Sequence, residues 1–332
     1  MSLREEYRAT LKCLDVEEAI DLALHRPLAF GVAKLAARAS MTPNQLTALS
    51  LLLGVAGGAT LIVSSLQARL IAATLLFLSQ VLDCSDGMLA RMRKSASELG
   101  RMLDGSADGV TAFAALLGSV YVMVERYPRP IYVPLLIVAL TGLAARTSLM
   151  HTILYDHYKN LYVRLTVPGV TDAEDLEVAR ARHAQTKTQP QGLVLRGAWR
   201  LYLDYLSGQR RTLRWFDPYS AARMKGLPVW SEAVAQTYRR HALGPLKVWR
   251  SAFGVGSLIF GFAVFNAFGR PDLFLLFRLV PMNLVFFLYL MPAQRRASRE
   301  AFRELGLLAQ PAAEAAAPID QAWAPPAREK HA

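Results

Sequence analysis

Four carboxylates crowd one short stretch of the chain, Asp83 and Asp86 ahead of Gly87, then Asp104 and Asp108 behind Gly100. On a helix, Asp83, Asp86, Gly87 and Ala90 share one face, and so do Gly100, Asp104 and Asp108. An antiparallel pair of helices joined by the turn at 92–99 sets these two faces against each other. Four negative charges in such a place repel strongly at low dielectric unless cations neutralise them. Two divalent ions match that charge, and oxygen-only ligands favour a hard metal, Mg²⁺ or Mn²⁺. Cys84 and Ser85 lie between the acidic positions and carry no part of this chemistry.

The spacing D-x2-D-G-x2-A-R-x8-G-x3-D-x3-D resembles the signature of the CDP-alcohol phosphotransferase (class I CDP-alcohol phosphatidyltransferase) family, with every fixed position present. The resemblance implies transfer of a substituted phosphate from a CDP-alcohol to an acceptor hydroxyl, with release of CMP, in phospholipid biosynthesis. It implies Asp83, Asp86, Asp104 and Asp108 as ligands of two Mg²⁺ or Mn²⁺ ions, and Asp108 also as general base. Gly87, Ala90 and Gly100 lack bulk and would let the nucleotide lie against helix backbone. Arg91 offers the donor phosphates a fork of N–H groups. The segment Thr42-Pro43-Asn44-Gln45-Leu46-Thr47 resembles the opening of the family's first spanning helix, which makes Asn44 and Thr47 further nucleotide-site candidates. A CDP-diacylglycerol donor with a polar acceptor such as glycerol phosphate or inositol phosphate is the first expectation. A CDP-choline or CDP-ethanolamine donor with a diacylglycerol acceptor is the alternative within the class. A divalent-cation transporter is the alternative outside it, and it has no use for Gly87, Ala90 and Arg91 at fixed spacing.

The elements that must hold these residues are membrane helices. Apolar residues make up 53% of the 332 positions and the mean hydropathy is +0.23, which suits an all-α integral membrane protein. Six spans are expected: about Leu46–Ser65, Ala68 to the Asp83 region, Val110–Val124, Ile131–Leu154, Trp249–Phe268 and Leu273–Met291. An amphipathic interfacial helix precedes them, with Leu28, Phe30, Val32 and Leu35 set among Lys34 and Arg38. Gly54, Gly57 and Gly58 give the first span the small-residue spacing of close helix packing. Only about fifteen apolar residues precede Asp83 or follow Asp108, short of the roughly twenty that cross the hydrocarbon. The carboxylates are therefore expected just below one membrane surface.

The domains expected are 1–40, an N-terminal cytoplasmic segment with the interfacial helix; 41–155, spans one to four with the motif; 156–247, a polar cytoplasmic insert; 248–294, spans five and six; and 295–332, a cytoplasmic tail. The tail turns Ala-, Pro- and Glu-rich, the composition of a partly disordered segment. Arg146 and Arg278 fall inside spans, where a charge marks a functional site, and are candidates for holding an acceptor phosphate. The charge of +12 gathers at membrane flanks beside an expected cytoplasmic face, as the positive-inside rule requires. It reads as contact with membrane lipids, and no nucleic-acid motif accompanies it. The expected location is the cytoplasmic membrane, with both termini and the active site on the cytoplasmic face. No cleavable signal is evident, and Cys13 and Cys84 suggest no disulfide framework. A homodimer is compatible with this layout.

Overall fold

Local chemistry sets the first boundaries. Thr42 and Gln45 close a capping box, with Gln45 N–H donating to Thr42 Oγ1 (3.3 Å) and Thr42 N–H to Gln45 Oε1 (2.8 Å), and Pro43 follows at the first helical position. Ser65 caps the next helix by accepting from Ala68 N–H at 3.1 Å. That helix ends where Lys94 turns left-handed (φ 52°) and Ser95 N–H reaches back to Ala90 O at 2.9 Å, reversing the chain between the two halves of the acidic motif.

The computed structural model describes residues 2–63, 65–95, 98–127, 130–170, 176–186, 192–223 and 226–308. Its elements are α1 (Leu3–Thr10), a π-helical turn (Asp21–His25) leading into α2 (Arg26–Arg38), α3 (Pro43–Thr60), α4 (Leu66–Met92), α5 (Glu98–Arg126), α6 (Tyr132–Thr166), α7 (Leu176–Thr186), α8 (Leu193–Phe216), α9 (Pro218–Arg223), α10 (Glu232–Ala252), α11 (Val255–Ala267), α12 (Pro271–Leu279), α13 (Pro281–Val285), a second π turn (Phe286–Leu290) and α14 (Met291–Glu304). All regular structure among the described residues is helical. The expected tail beyond residue 308 lies outside them.

Five helical stretches are long and apolar enough to cross a membrane: Leu66–Met92, Met102–Arg126, Tyr132–Thr166, Glu232–Ala267 and Pro271–Glu304. The expected first span, α3, is not among them, because its 18 residues include the polar Asn44 and Gln45. It packs instead as a tight wedge against both α4 and α5. A Cβ on Gly58 would stand 2.5 Å from the Ala114 backbone, and one on Gly118 would stand 2.4 Å from Gly58 O, so α3 and α5 touch backbone to backbone. The α11 helix lies against α4 and α5 as well, and α4 and α5 themselves meet only sparsely. A cleft is left between the two acidic helices.

Three of these stretches, Tyr132–Thr166, Glu232–Ala267 and Pro271–Glu304, are much longer than a bilayer needs. At about 1.5 Å per residue, the 35 residues of α6 reach roughly 50 Å, against a hydrocarbon thickness of roughly 30 Å. The overhang forms an aromatic core in which Tyr155, Tyr158 and Tyr162 of α6 pack with Trp249 of α10, Phe286, and Phe302 of α14. Thus the polar stretch after residue 155 does not hang from the spans. It begins as a continuation of α6 and returns along α10, whose helix already starts at Glu232.

A buried carboxylate clamps this region together. Asp217 is fully buried and accepts from Tyr158 Oη (3.1 Å), Ser298 Oγ (2.6 Å) and Ser220 N–H (3.1 Å), joining α6, α9 and α14. Asp217→Ala would strand two buried hydroxyls and should cost about 2–4 kcal/mol of stability. Thermal unfolding of the detergent-purified chain checks this, and Asp217→Asn, which keeps one acceptor oxygen, should lose less.

Candidate active site

The reversal at Lys94 brings the last three turns of α4 beside the first three of α5. Carboxylate oxygens of Asp83, Asp86 and Asp104 lie within 4.8 Å of one another. Asp108 is one turn further along α5 and lines the same cavity without joining that group. Thr47 Oγ1 of α3 donates to Asp86 Oδ2, and Gln80 Nε2 stands 3.5 Å from Asp83 Oδ2. Asp83 Oδ1 and Asp104 Oδ1 are buried with no hydrogen-bond partner among the described residues. Unpartnered anionic oxygens facing one another are what a hard divalent cation satisfies, so the donor set fits the metal that its chemistry implies.

Arg91 follows the cluster on α4. Its Nε donates to Thr10 O, and its Nη2 is buried without a partner in the cavity wall. A Cβ built on Gly87 would meet nothing but this guanidinium, at 3.4 Å and beyond. Packing alone does not demand glycine there. Ala90 and Gly100 sit on the same two helices but are not among the cavity-lining residues, and Asn44 is exposed at the start of α3.

The cavity measures about 780 Å³ and changes character along its length. Lys12, Glu17, Arg26, Arg91 and the four aspartates line it together with Phe113, Leu116, Phe262 and Phe274; Phe113 and Leu116 follow Asp108 along α5, and Leu116 packs in one apolar cluster with Phe262 and Phe274. Arg278 belongs to its wall, donating to Ser148 Oγ (2.9 Å) and Ala252 O (3.1 Å) with Nη2 left unpartnered. Arg146, by contrast, is exposed and does not line the cavity. Among the α6 residues that do line it, Ala144, Ser148, Thr152, Tyr155 and Lys159 recur at intervals of three or four, and Arg146 falls off that stripe.

The N-terminal segment contributes more than its polar composition announces. Arg26 bonds Glu17 Oε2 at 2.9 Å and reaches Cys84 O at 3.4 Å, pinning the segment to the middle of the acidic motif. Burial raises the Glu17 carboxyl, but the Arg26 guanidinium and Lys12 outweigh it and hold it below its ordinary value. Glu18 caps α11 by accepting from Gly256 N–H (3.1 Å), Ser257 N–H (2.9 Å) and Ser257 Oγ (2.7 Å). Burial, helped by the charge of Asp21, pushes it up to about 7. The run Glu17-Glu18-x2-Asp21 ahead of His25-Arg26 reads in the sequence as an ordinary polar segment, and only the tertiary contacts reveal this role.

A search of curated proteins found no match to the chain. The profile of the CDP-alcohol phosphatidyltransferase family matches residues 40–164. That span contains α3, the whole carboxylate cluster with Arg91, and nearly all of α6, the elements that build the acidic end of the cavity. Residues 40–164 therefore carry a CDP-alcohol phosphatidyltransferase domain, the domain of a family of enzymes that transfer substituted phosphate groups.

Proposed function

We propose that the protein transfers a phosphatidyl group from CDP-diacylglycerol to the hydroxyl of a polar acceptor, releasing CMP, in phospholipid synthesis. The observation that carries this reading is the single cavity in which a converging carboxylate cluster gives way to an apolar wall. A donor with a nucleoside diphosphate at one end and acyl chains at the other matches that gradient. All four aspartates lie near adjoining helix ends rather than mid-helix, which suits an enzyme at a membrane surface better than a transporter.

Asp83, Asp86, Asp104 and Asp108 would hold two Mg²⁺ or Mn²⁺ ions. Bound divalent metal supplies charge neutralisation for the diphosphate and for the departing CMP. Arg91 aims its free guanidinium nitrogen at the donor phosphates, and the bare backbone at Gly87 lets the nucleotide approach α4. Ala90, Gly100, Asn44 and Thr47 complete the proposed donor surface, with Thr47 acting through Asp86. The acceptor oxygen attacks the phosphorus that carries the diacylglycerol, and its proton passes to Asp108. The phosphoanhydride P–O bond breaks, and CMP leaves with the bonding electrons. Arg278, in the cavity wall, remains available to the acceptor or the lipid.

The topology that supports this chemistry has α3 as the first of six spans, with its polar first turn at the cytoplasmic face. Both termini and the acidic end then share that face, where basic residues concentrate. The α2 helix would lie in the interface, its exposed Leu28 and Leu35 toward lipid. Residues 156–247 would form the cytoplasmic insert built on the overhanging α6 and α10.

A panel of CDP-alcohols crossed with hydroxyl acceptors, with lipid products read by mass spectrometry, tests the reading. CMP should appear only with Mg²⁺ or Mn²⁺, and turnover indifferent to EDTA would contradict it. Formation of product from CDP-choline and diacylglycerol alone would reverse the assignment of donor and acceptor. Asp108→Asn should nearly abolish turnover while CDP-alcohol still binds, whereas Asp83→Asn should weaken metal and donor binding together. Equal and mild losses in both would sink these roles. Gly87→Ala should leave the melting temperature unchanged and raise the donor KM about tenfold, the signature of an approach surface rather than a packing site.

A further inference from the structure

Beside the acidic cluster, the cavity wall holds a second group of charges that the reaction above does not use. It is drawn from three elements: Lys12 from the segment after α1, Asp156 and Lys159 from α6, and Tyr205 from α8. Two of these elements lie outside the matched family domain, and α8 belongs to the polar insert.

The group is built rather than accidental. Asp156 is fully engaged, taking Lys159 Nζ at 2.8 Å, Tyr205 Oη at 3.0 Å and Asn160 Nδ2 at 3.3 Å. It therefore orients its neighbours and has little left for a ligand. Lys12 is fixed through its backbone, whose N–H donates to Glu17 Oε1 at 3.2 Å, while Glu17 is itself held by Arg26. The Lys12 ammonium, in contrast, has no hydrogen-bond or ion-pair partner among the described residues. The charge of Lys159, with burial and with Arg91 and Arg26 behind it, pushes Lys12 below the ordinary lysine value. One ammonium, that of Lys159, is thus paired with Asp156, and the other, that of Lys12, faces the same cavity without a carboxylate of its own.

We propose that Lys12 and Lys159, with Lys159 positioned by Asp156 and Tyr205, form the subsite for a phosphate carried by the acceptor alcohol. A phosphate in this cavity supplies what Lys12 lacks, a negative acceptor, beside an ammonium that Asp156 already orients, and charge-assisted bonds of this kind are about twice as strong as neutral ones. The subsite stands some eight residues along α6 from Ser148, the partner of Arg278, which is roughly 12 Å. It thus replaces Arg146 as the holder of the acceptor phosphate and is separate from Arg278. The insert gains a role: α8 roofs the cavity with Leu201, Tyr202 and Tyr205 and so takes part in choosing the acceptor. This inference rests on the transferase reading for its meaning, but phosphate binding can be measured without turnover.

The experiment uses the full chain in detergent with Mg²⁺ and saturating CDP filling the donor side, and inorganic phosphate as the titrant in calorimetry. Lys12→Ala should weaken phosphate binding about tenfold, Lys12→Arg should restore it, and Tyr205→Phe should weaken it by a smaller factor. Unchanged affinity in Lys12→Ala, or a loss in Arg146→Ala without one in Lys12→Ala, would overturn the proposal. In turnover, Lys12→Ala should raise the KM of a polyol phosphate about tenfold and leave that of the unphosphorylated polyol and of the CDP-alcohol alone. An effect on an anionic lipid acceptor in mixed micelles, with none on the soluble polyol phosphate, would assign the same subsite to a lipid headgroup phosphate. Absence of CMP release with the phosphate effect intact would remove the reaction and keep the subsite. The reverse result would remove the subsite and keep the reaction.

Discussion

The mutual repulsion of carboxylates from two helices is the constraint on which the rest of the structure turns. Asp83, Asp86 and Asp104 bring carboxylate oxygens within 4.8 Å of one another, and Asp83 Oδ1 and Asp104 Oδ1 have no hydrogen-bond partner among the described residues. Left alone, such a cluster would push α4 and α5 apart. The surrounding fold holds them: α3 binds both through backbone contact at Gly58 and Gly118, and α11 packs on both as well. Thr47 ties the wedge helix to Asp86 directly. The scaffold thus gathers the charges before any ligand arrives, an arrangement that could hold a divalent cation.

Around that centre the protein adds layers of compensating charge. Arg26 with Glu17 locks the N-terminal segment against α4, Arg91 is held by Thr10 O, and Glu18 caps α11 where the Glu232–Ala267 stretch is interrupted at Phe253-Gly254. A Cβ on Gly254 would collide with Glu18 at 2.0 Å, so the interruption and the inserted carboxylate require each other. The segment before the first membrane helix is consequently part of the cavity rather than an appendage. The overhanging ends of α6 and α10 do the same for the insert, which Asp217 locks from the other side.

Much of the central site was legible because the acidic residues act through fixed intervals on two regular helices. Spacing alone places Asp83, Asp86 and Gly87 on one face, and Asp104 and Asp108 on another. The position of Arg146 was also legible in principle: residues 144, 148, 152 and 155 define a face that 146 misses, and a rule that any charge in a span is functional overlooks that geometry. Lys12, Glu17, Glu18 and Arg26 were not legible, because a polar segment enters a site only through tertiary contacts that no periodicity encodes. The extent of α6 was hidden for a related reason. Its apolar run ends near Leu154, yet the helix continues to Thr166 because Tyr155, Tyr158 and Tyr162 bury themselves against Trp249, Phe286 and Phe302.

The central claim is that the converging carboxylates exist to hold divalent metal. The most direct test is a titration of the metal-stripped full chain with Mn²⁺, followed by electron paramagnetic resonance in detergent. The account predicts two bound ions per chain close enough to couple magnetically, with affinity falling by more than about tenfold in Asp104→Asn, since one charged ligand is lost. No specific binding, or binding that ignores Asp83, Asp86 and Asp104 alike, would contradict it.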